Sequence, residues 1–293
     1  MLSALSLTAC GGTTAPLAGA PVANAQSLGA SGSTLQAEAF ETLAKRIYVT
    51  EFASNTLLAF TPAGKATGPQ ITSGLDSPQY LTADSAGKIY VPNNGNNSLT
   101  TYLPDGTQTT PTITSGLSTP CAVVVDAKGK IYVTNQGNDT VTTYLADGTQ
   151  TTPTIQLSFQ PQQLAIDAHG KIYIASQSTN TVTTYDANGT PAKPTIRKGL
   201  NRPTGVAVDS SGKIYVANYG SNTLHTYLPG GAETSPTITT GISSPEAIAL
   251  DKAGSIFIAN YGSSSVTVFD SNGKRSGPTI SGLPNVVGVA VTY

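Results

Sequence analysis

The chain has 293 residues, a net charge of −1 and only 11% charged residues, which leaves no electrostatic footprint for nucleic acid or an anionic membrane surface. With 38% hydrophobic residues it lies well above the disordered range. Abundant Thr, Ser, Gly and Asn, 19 Pro and no Trp favour short strands with many turns over helical bundles.

The chain opens on an apolar stretch, Leu2 to Leu7, followed by Leu7-Thr8-Ala9-Cys10. These residues resemble the lipobox of bacterial lipoproteins. Residues 1–9 are read as a signal peptide with its true start upstream, because no basic residue precedes the apolar run. The resemblance implies lipidation of Cys10, and Cys121 is then alone in the mature chain, so no internal disulfide is expected. Residues 11–33 are small and nearly uncharged, a flexible tether. Residues 34–44 fit either a short helix or a strand, and 10–44 together link the anchor to a domain spanning 45–293.

From there a single phrase recurs. Ile47, Ile89, Ile131, Ile172, Ile214 and Ile256 each head an Ile-Tyr or Ile-Phe copy, 41 or 42 residues apart. A period this regular marks units that bury their apolar faces only against copies of themselves. In the unit beginning at Pro203, Gly205-Val206-Ala207-Val208 is an apolar strand A and Asp209 to Lys213 a turn. Ile214-Tyr215-Val216-Ala217 is strand B, Asn218 to Asn222 a polar loop, Thr223 to Tyr227 strand C, and Pro236-Thr237-Ile238 lies in strand D. Asp105-Gly106, Asp147-Gly148, Asn188-Gly189 and Asn272-Gly273 mark hairpins between C and D.

Four antiparallel strands per unit describe a propeller blade. Six B strands and six A strands are offset: the first B strand lacks an A strand before it, and Val286 to Val291 ends the chain with no B strand after it. The expected fold is all-β, a six-bladed β-propeller closed by the C-terminal strand completing the N-terminal blade, and a monomer.

Pro203-Thr204-Gly205-Val206-Ala207-Val208-Asp209 with Gly212-Lys213-Ile214-Tyr215-Val216-Ala217-Asn218 resembles the NHL-repeat family. Ile131-Tyr132-Val133-Thr134-Asn135 is similar to the bacterial and archaeal propellers named for their Tyr-Val-Thr-Asn repeat. The resemblance implies the fold over 45–293. Such families host binding scaffolds, lactonases and lyases alike, so activity has to come from the site.

No nucleophile elbow, phosphate loop, Cys-x-x-Cys or His-Glu-x-x-His is present. His169 falls in an A–B turn and His225 in a C strand of another blade, so a multi-His metal site is excluded, and the catalytic His that streptogramin-lyase propellers imply has no counterpart. Two rings should reach the loop-face mouth of the central channel. One follows the strand A proline (Gln79, Cys121, Gln162, Thr204, Glu246, Asn285), and the other ends strand B (Glu51, Asn93, Asn135, Ser176, Asn218, Asn260).

Neutral amides suit a polar ligand and are poorly suited to acid–base chemistry. Asn93, Asn135 and Asn218 are the amides expected to reach it, although turn chemistry accounts for most of the Asn-rich loops. Tyr219 and Tyr261, in Asn-Tyr-Gly loops of neighbouring blades, have no turn role and are expected to stack on a sugar ring or a peptide side chain. Glu51, Glu246, Asn260 and Asn285 form a candidate divalent-cation (calcium) site, similar to that of gluconolactonase-like propellers but lacking their Asp.

The expectation is an exported, lipid-anchored cell-envelope scaffold that binds a small polar ligand, glycan or protein partner without catalysis. Membrane contact is through the anchor only. The alternative is a metal-dependent lactonase.

Overall fold

The computed structural model describes residues 45–292 apart from Pro69. The lipobox, Cys10, the tether and residues 34–44 lie outside the described residues.

Blade I holds β1 (Ile47–Glu51) and β2 (Thr56–Phe60). Blade II holds β3 (Thr82–Ala83), β4 (Ile89–Asn93), β5 (Ser98–Tyr102) and β6 (Gln108–Ile113). Blade III holds β7 (Pro120–Val125), β8 (Ile131–Asn135), β9 (Thr140–Tyr144) and β10 (Gln150–Gln156). Blade IV holds β11 (Leu164–Ile166), β12 (Ile172–Ser176), β13 (Thr181–Tyr185) and β14 (Pro191–Ile196). Blade V holds β15 (Pro203–Val208), β16 (Ile214–Asn218), β17 (Thr223–Tyr227) and β18 (Glu233–Ile238). Blade VI holds β19 (Pro245–Leu250), β20 (Ile256–Asn260), β21 (Ser265–Phe269) and β22 (Ile280–Ser281). The final strand, β23 (Val286–Val291), pairs antiparallel with β1 and is the innermost strand of blade I. The sixfold count and the closure follow the sequence reading. The outer edge of blade I is rudimentary, held where Leu57 and Ile71 exchange backbone hydrogen bonds of 2.9 and 3.0 Å.

Burial explains why this sequence repeats. Every B strand is buried along its whole length, because each is covered by a blade on both faces. The six repeating Ile residues are all fully buried, and each stabilises the fold by about 1.5–3 kcal/mol through the area it removes from water. Outer strands alternate exposed and buried residues, as β6, β14 and β18 do, because only one face is covered along them.

Polar repeats lock the blades to one another. Asn55, Asn97, Asn180 and Asn222 adopt φ of 54°, 55°, 52° and 55°, a region Asn tolerates. Their Oδ1 atoms accept, each at 2.6 Å, from Ser77, Thr119, Arg202 and Ser244 N–H at the entry to the next blade.

At the opposite end, the A–B turn carboxylates of Asp84, Asp167 and Asp209 accept from Lys88, Lys171 and Lys213 N–H. They also accept from Tyr90, Tyr173 and Tyr215 hydroxyls at 3.0, 3.1 and 3.1 Å. Burial, then the neighbouring Asp charge, raises all three phenols above the ordinary tyrosine range. Tyr132, beside Asp126, is pushed up to about 12 for the same reasons.

Blade I has no such turn, because the chain ends meet there. Thr292 N–H donates to Arg46 C=O at 3.0 Å, and Arg46 N–H donates to Thr292 Oγ1 at 2.9 Å.

The seam depends on one glycine. A Cβ on Gly288 would lie 2.3 Å from Thr50 Oγ1, 2.7 Å from Leu81 Cδ2 and 2.8 Å from Gln79 C=O. That is the space through which Thr50 Oγ1 donates to Gln79 C=O at 2.7 Å. Gly288→Val should therefore destabilise the domain by about 3 kcal/mol, the upper range of overpacking costs, and a denaturant melt matching the parent would refute the seam. The phenols predict a second outcome. Because the folded state holds their protons more tightly, stability is fully present below about pH 10, where free tyrosine titrates, and is lost as pH rises above it. Thermal melts from pH 8 to 12 should fall on the alkaline limb, and combining Tyr90→Phe, Tyr173→Phe and Tyr215→Phe should flatten that limb.

Candidate functional site

The channel mouth on the B–C and D–A loop face is built from two rings of side chains. The inner ring is Gln79, Cys121, Gln162, Thr204 and Glu246, all buried. Its sixth member corrects the sequence expectation. Glu51 pairs with Val286 just as Asn260 pairs with Pro245 and Asn135 with Pro120, so Val286 is the counterpart of the strand A prolines and Val287 completes the ring. Asn285 is the counterpart of Ser244. Both have positive φ (57° and 43°), and their carbonyls accept from Phe52 and Tyr261 N–H at 3.1 Å each. Pro284 resembles the strand A prolines in sequence, but the closing strand starts two residues later.

Two long side chains cross the channel. Tyr80 leaves blade II to bond blade III, its N–H donating to Cys121 C=O at 3.0 Å. Its hydroxyl donates to Glu246 Oε2 of blade VI at 2.5 Å, with Gln162 Oε1 of blade IV at 3.4 Å. Gln163 reaches from blade IV into blades V and VI. Its Oε1 accepts from Val206 and Ile248 N–H, both at 3.1 Å, and its Nε2 donates to Ile248 C=O at 3.0 Å. Beyond Gln163 a cavity of ≈ 160 Å³ is lined by inner strands of all six blades, with Leu81, Val123, Leu164, Val206, Ile248 and Val289 among its walls. Burial, then the Glu246 charge and hydrogen bond, holds the Tyr80 phenol well above the usual tyrosine range.

The outer ring is the residue after each B strand: Phe52, Asn94, Gln136, Gln177, Tyr219 and Tyr261. Five of these direct N–H to the residue leading into strand A of the same blade, at 3.0–3.2 Å: Phe52 to Asn285, Asn94 to Ser77, Gln136 to Thr119, Tyr219 to Arg202 and Tyr261 to Ser244. Three aromatic residues fall on consecutive blades V, VI and I, all half-buried, and amides occupy blades II, III and IV. Burial chiefly, then Tyr219 and Glu246, raises the Tyr261 phenol. The Arg202 guanidinium lies 5.0 Å from the centre of the Tyr219 ring. Tyr219 and Tyr261 were legible in the sequence. Phe52 was missed, although aligning the ends of the B strands exposes it.

The strand-end amides are committed elsewhere. Asn93, Asn135, Asn218 and Asn260 are fully buried. Their Oδ1 atoms accept from Asp76, Ser118, Asn201 and Ser243 N–H at 3.1, 3.1, 3.0 and 3.0 Å. Their Nδ2 atoms turn inward, to Thr100 and Thr142 hydroxyls at 3.0 Å each, Gly199 C=O at 3.3 Å and the Thr267 hydroxyl at 3.0 Å. They fasten the entry of strand A to strand B. Glu51 takes this place in blade I, its Oε2 accepting from Ser54 and Thr56 hydroxyls at 3.0 and 2.7 Å.

Of the four residues proposed for calcium, Glu51 accepts from Ser54 and Thr56, Asn260 bonds the entry of strand A, Asn285 lies outside the inner ring, and Glu246 accepts from Tyr80. Among the described residues, no group of three or more His, Cys, Asp or Glu could hold a metal ion.

Neither histidine joins the mouth. His169 sits in an A–B turn, and His225 Nδ1 lies 2.7 Å from Glu233 on the outer part of blade V. Cys121 corrects a second expectation: it is disulfide-bonded rather than a free thiol, and its partner lies outside the described residues.

The chain is a six-bladed β-propeller in which residues 200–227 match the NHL repeat family model. No curated protein matches the sequence. A chain in the crystal structure of a nidogen/laminin complex is similar with TM-score 0.74 and 15% identity, over 85% of this chain and 99% of that one. A streptogramin B lyase structure gives TM-score 0.65 and 16% identity, over 84% and 83%. Virginiamycin B lyase from Staphylococcus aureus gives 0.62 and 16%, over 79% of each chain. Identities this low establish the fold alone.

The Tyr80–Glu246 contact yields a double-mutant test. Tyr80→Phe removes a phenol donor from a buried carboxylate and should cost about 1–3 kcal/mol. Adding Glu246→Leu to it should recover part of that loss, since an apolar pair leaves no stranded charge. Additive losses would show that the two side chains are not coupled.

Proposed function

We propose that this protein is an exported, lipid-anchored binding propeller that holds a polar ligand, glycan or protein partner on its loop-face mouth without chemically transforming it. The observation that carries this reading is the half-buried arc of Phe52, Tyr219 and Tyr261 above a floor closed by Tyr80, Gln162 and Glu246. Aromatic faces at a mouth with neutral amides provide contact area and hydrogen bonds. The Tyr80 hydroxyl beneath is enclosed and bonded to Glu246, and burial keeps its proton in place.

The similar structures span a protein complex and lyases, so either type of function is at home on this fold. The position of both histidines away from the mouth favours the binding reading.

For the anchor, the lipobox at Cys10 is the support. Among the described residues no helix is long and apolar enough to cross a membrane, and the chain has 2 cysteines. Lipidation of Cys10 therefore requires that Cys121 draw its disulfide partner from another molecule or be reduced.

Combined Tyr219→Ala and Tyr261→Ala should leave the melting temperature within about 2 °C of the parent, as expected for partly exposed loop residues, while abolishing ligand-dependent stabilisation in a screen of sugars and peptides. Cys10→Ser should move the protein from the membrane to the soluble fraction. Turnover of lactones in calcium or manganese, lost in Glu246→Gln, would replace the binding reading with the hydrolase.

A further inference from the structure

Among the buried polar atoms of the outer ring that have no hydrogen-bond partner among the described residues are Gln136 Oε1 and Asn94 Nδ2. They stand on neighbouring blades, III and II, across the mouth from the aromatic arc. Gln136 is only 5% exposed. Its orientation is fixed, because Nε2 donates to Pro161 C=O at 2.9 Å, next to inner-ring Gln162. Its amide oxygen is thus a buried acceptor pinned beside the channel mouth, and a buried acceptor left without a donor is costly.

An occupant has to satisfy both ends of this arrangement. It must donate to Gln136 Oε1, accept from Asn94 Nδ2, and lay a face against Tyr219 and Tyr261. The surroundings narrow the choice further. Across both rings the sole aliphatic side chain is Val287, itself fully buried. The contact groups at the mouth are therefore aromatic rings and polar side chains. A sugar hydroxyl donates and accepts through one atom, so adjacent hydroxyls meet an amide oxygen and an amide nitrogen together. The C–H face of a pyranose lies flat on a tyrosine ring while its hydroxyl edge stays in polar contact.

We propose that the mouth is a saccharide site, with a pyranose ring on Tyr219 and Tyr261 and adjacent hydroxyls bonded to Gln136 Oε1 and Asn94 Nδ2. This rests on the binding reading above and names its ligand class.

The test is to apply the full chain to a broad glycan array and to a peptide array, and to titrate the best hit by calorimetry. Saccharide binding is expected. It should weaken by about tenfold or more in Tyr261→Ala, which removes a stacking face, and by about five- to tenfold in Gln136→Met, which removes the acceptor at similar volume. Tyr261 is partly exposed, so its variant remains informative if Gln136→Met fails to fold. Saccharide binding indifferent to Tyr261→Ala would place the sugar elsewhere and overturn the assignment. Peptide binding that requires Tyr219 and Tyr261, with no glycan bound, would overturn the saccharide and leave the binding reading intact. No tyrosine-dependent binding on either array would overturn both.

Discussion

The pairing of β23 with β1 is the constraint on which the rest of the molecule depends. A stack of sheets that fails to close would expose the apolar faces of its first and last blades, and β1 would offer an open edge. Closure removes both problems with strands more than two hundred residues apart in sequence. It demands that the backbone at Gly288 pass against Thr50 and Leu81 without a side chain between them. The same seam fixes the register that places Val287, not Asn285, at the mouth. A shift of one position in a strand exchanges which residues face the channel.

Closure also creates a difficulty at the centre. Innermost strands converge on an axis, and the edge each turns inward has backbone groups with no neighbouring strand to pair with. Blades II and IV answer this with short inner strands and long polar side chains. Tyr80 and its backbone bridge blades II and III, and the amide of Gln163 serves the backbone of blades V and VI. With Tyr80 and Gln163 reaching across the channel, side chains floor the loop-face mouth, and the residues that follow the B strands form a ring around it.

That ring shows how a repeat protein divides its sequence. Positions that keep one residue type in most blades have architectural tasks: Asn at the end of strand B ties down the entry to strand A, Asp in the A–B turn caps its own backbone and a tyrosine, and Asn in the B–C loop reaches the next blade. The next position along has no task common to every blade, and there the residue varies among Phe, Asn, Gln and Tyr. Freedom from a shared structural role permits an aromatic arc on one side and amides on the other.

The period near 42 residues, the strand composition and the hairpin signals were enough to specify blade number, strand order and closure, because they record local propensity and burial, which act in every copy alike. Tyr219 and Tyr261 were also legible, as aromatics in loops that need none. Beyond sequence were the commitments of individual polar groups. Asn93 reads the same whether its amide meets a ligand or Asp76 N–H, and Glu51 the same whether it holds a cation or two hydroxyls. Pro284 mimicked the strand A prolines, and nothing local reveals that the closing strand starts at Val286. Sequence determined the architecture because repetition averages over local accidents. Tertiary structure alone decided the site, because a hydrogen bond depends on which distant groups arrive within 3 Å of each other.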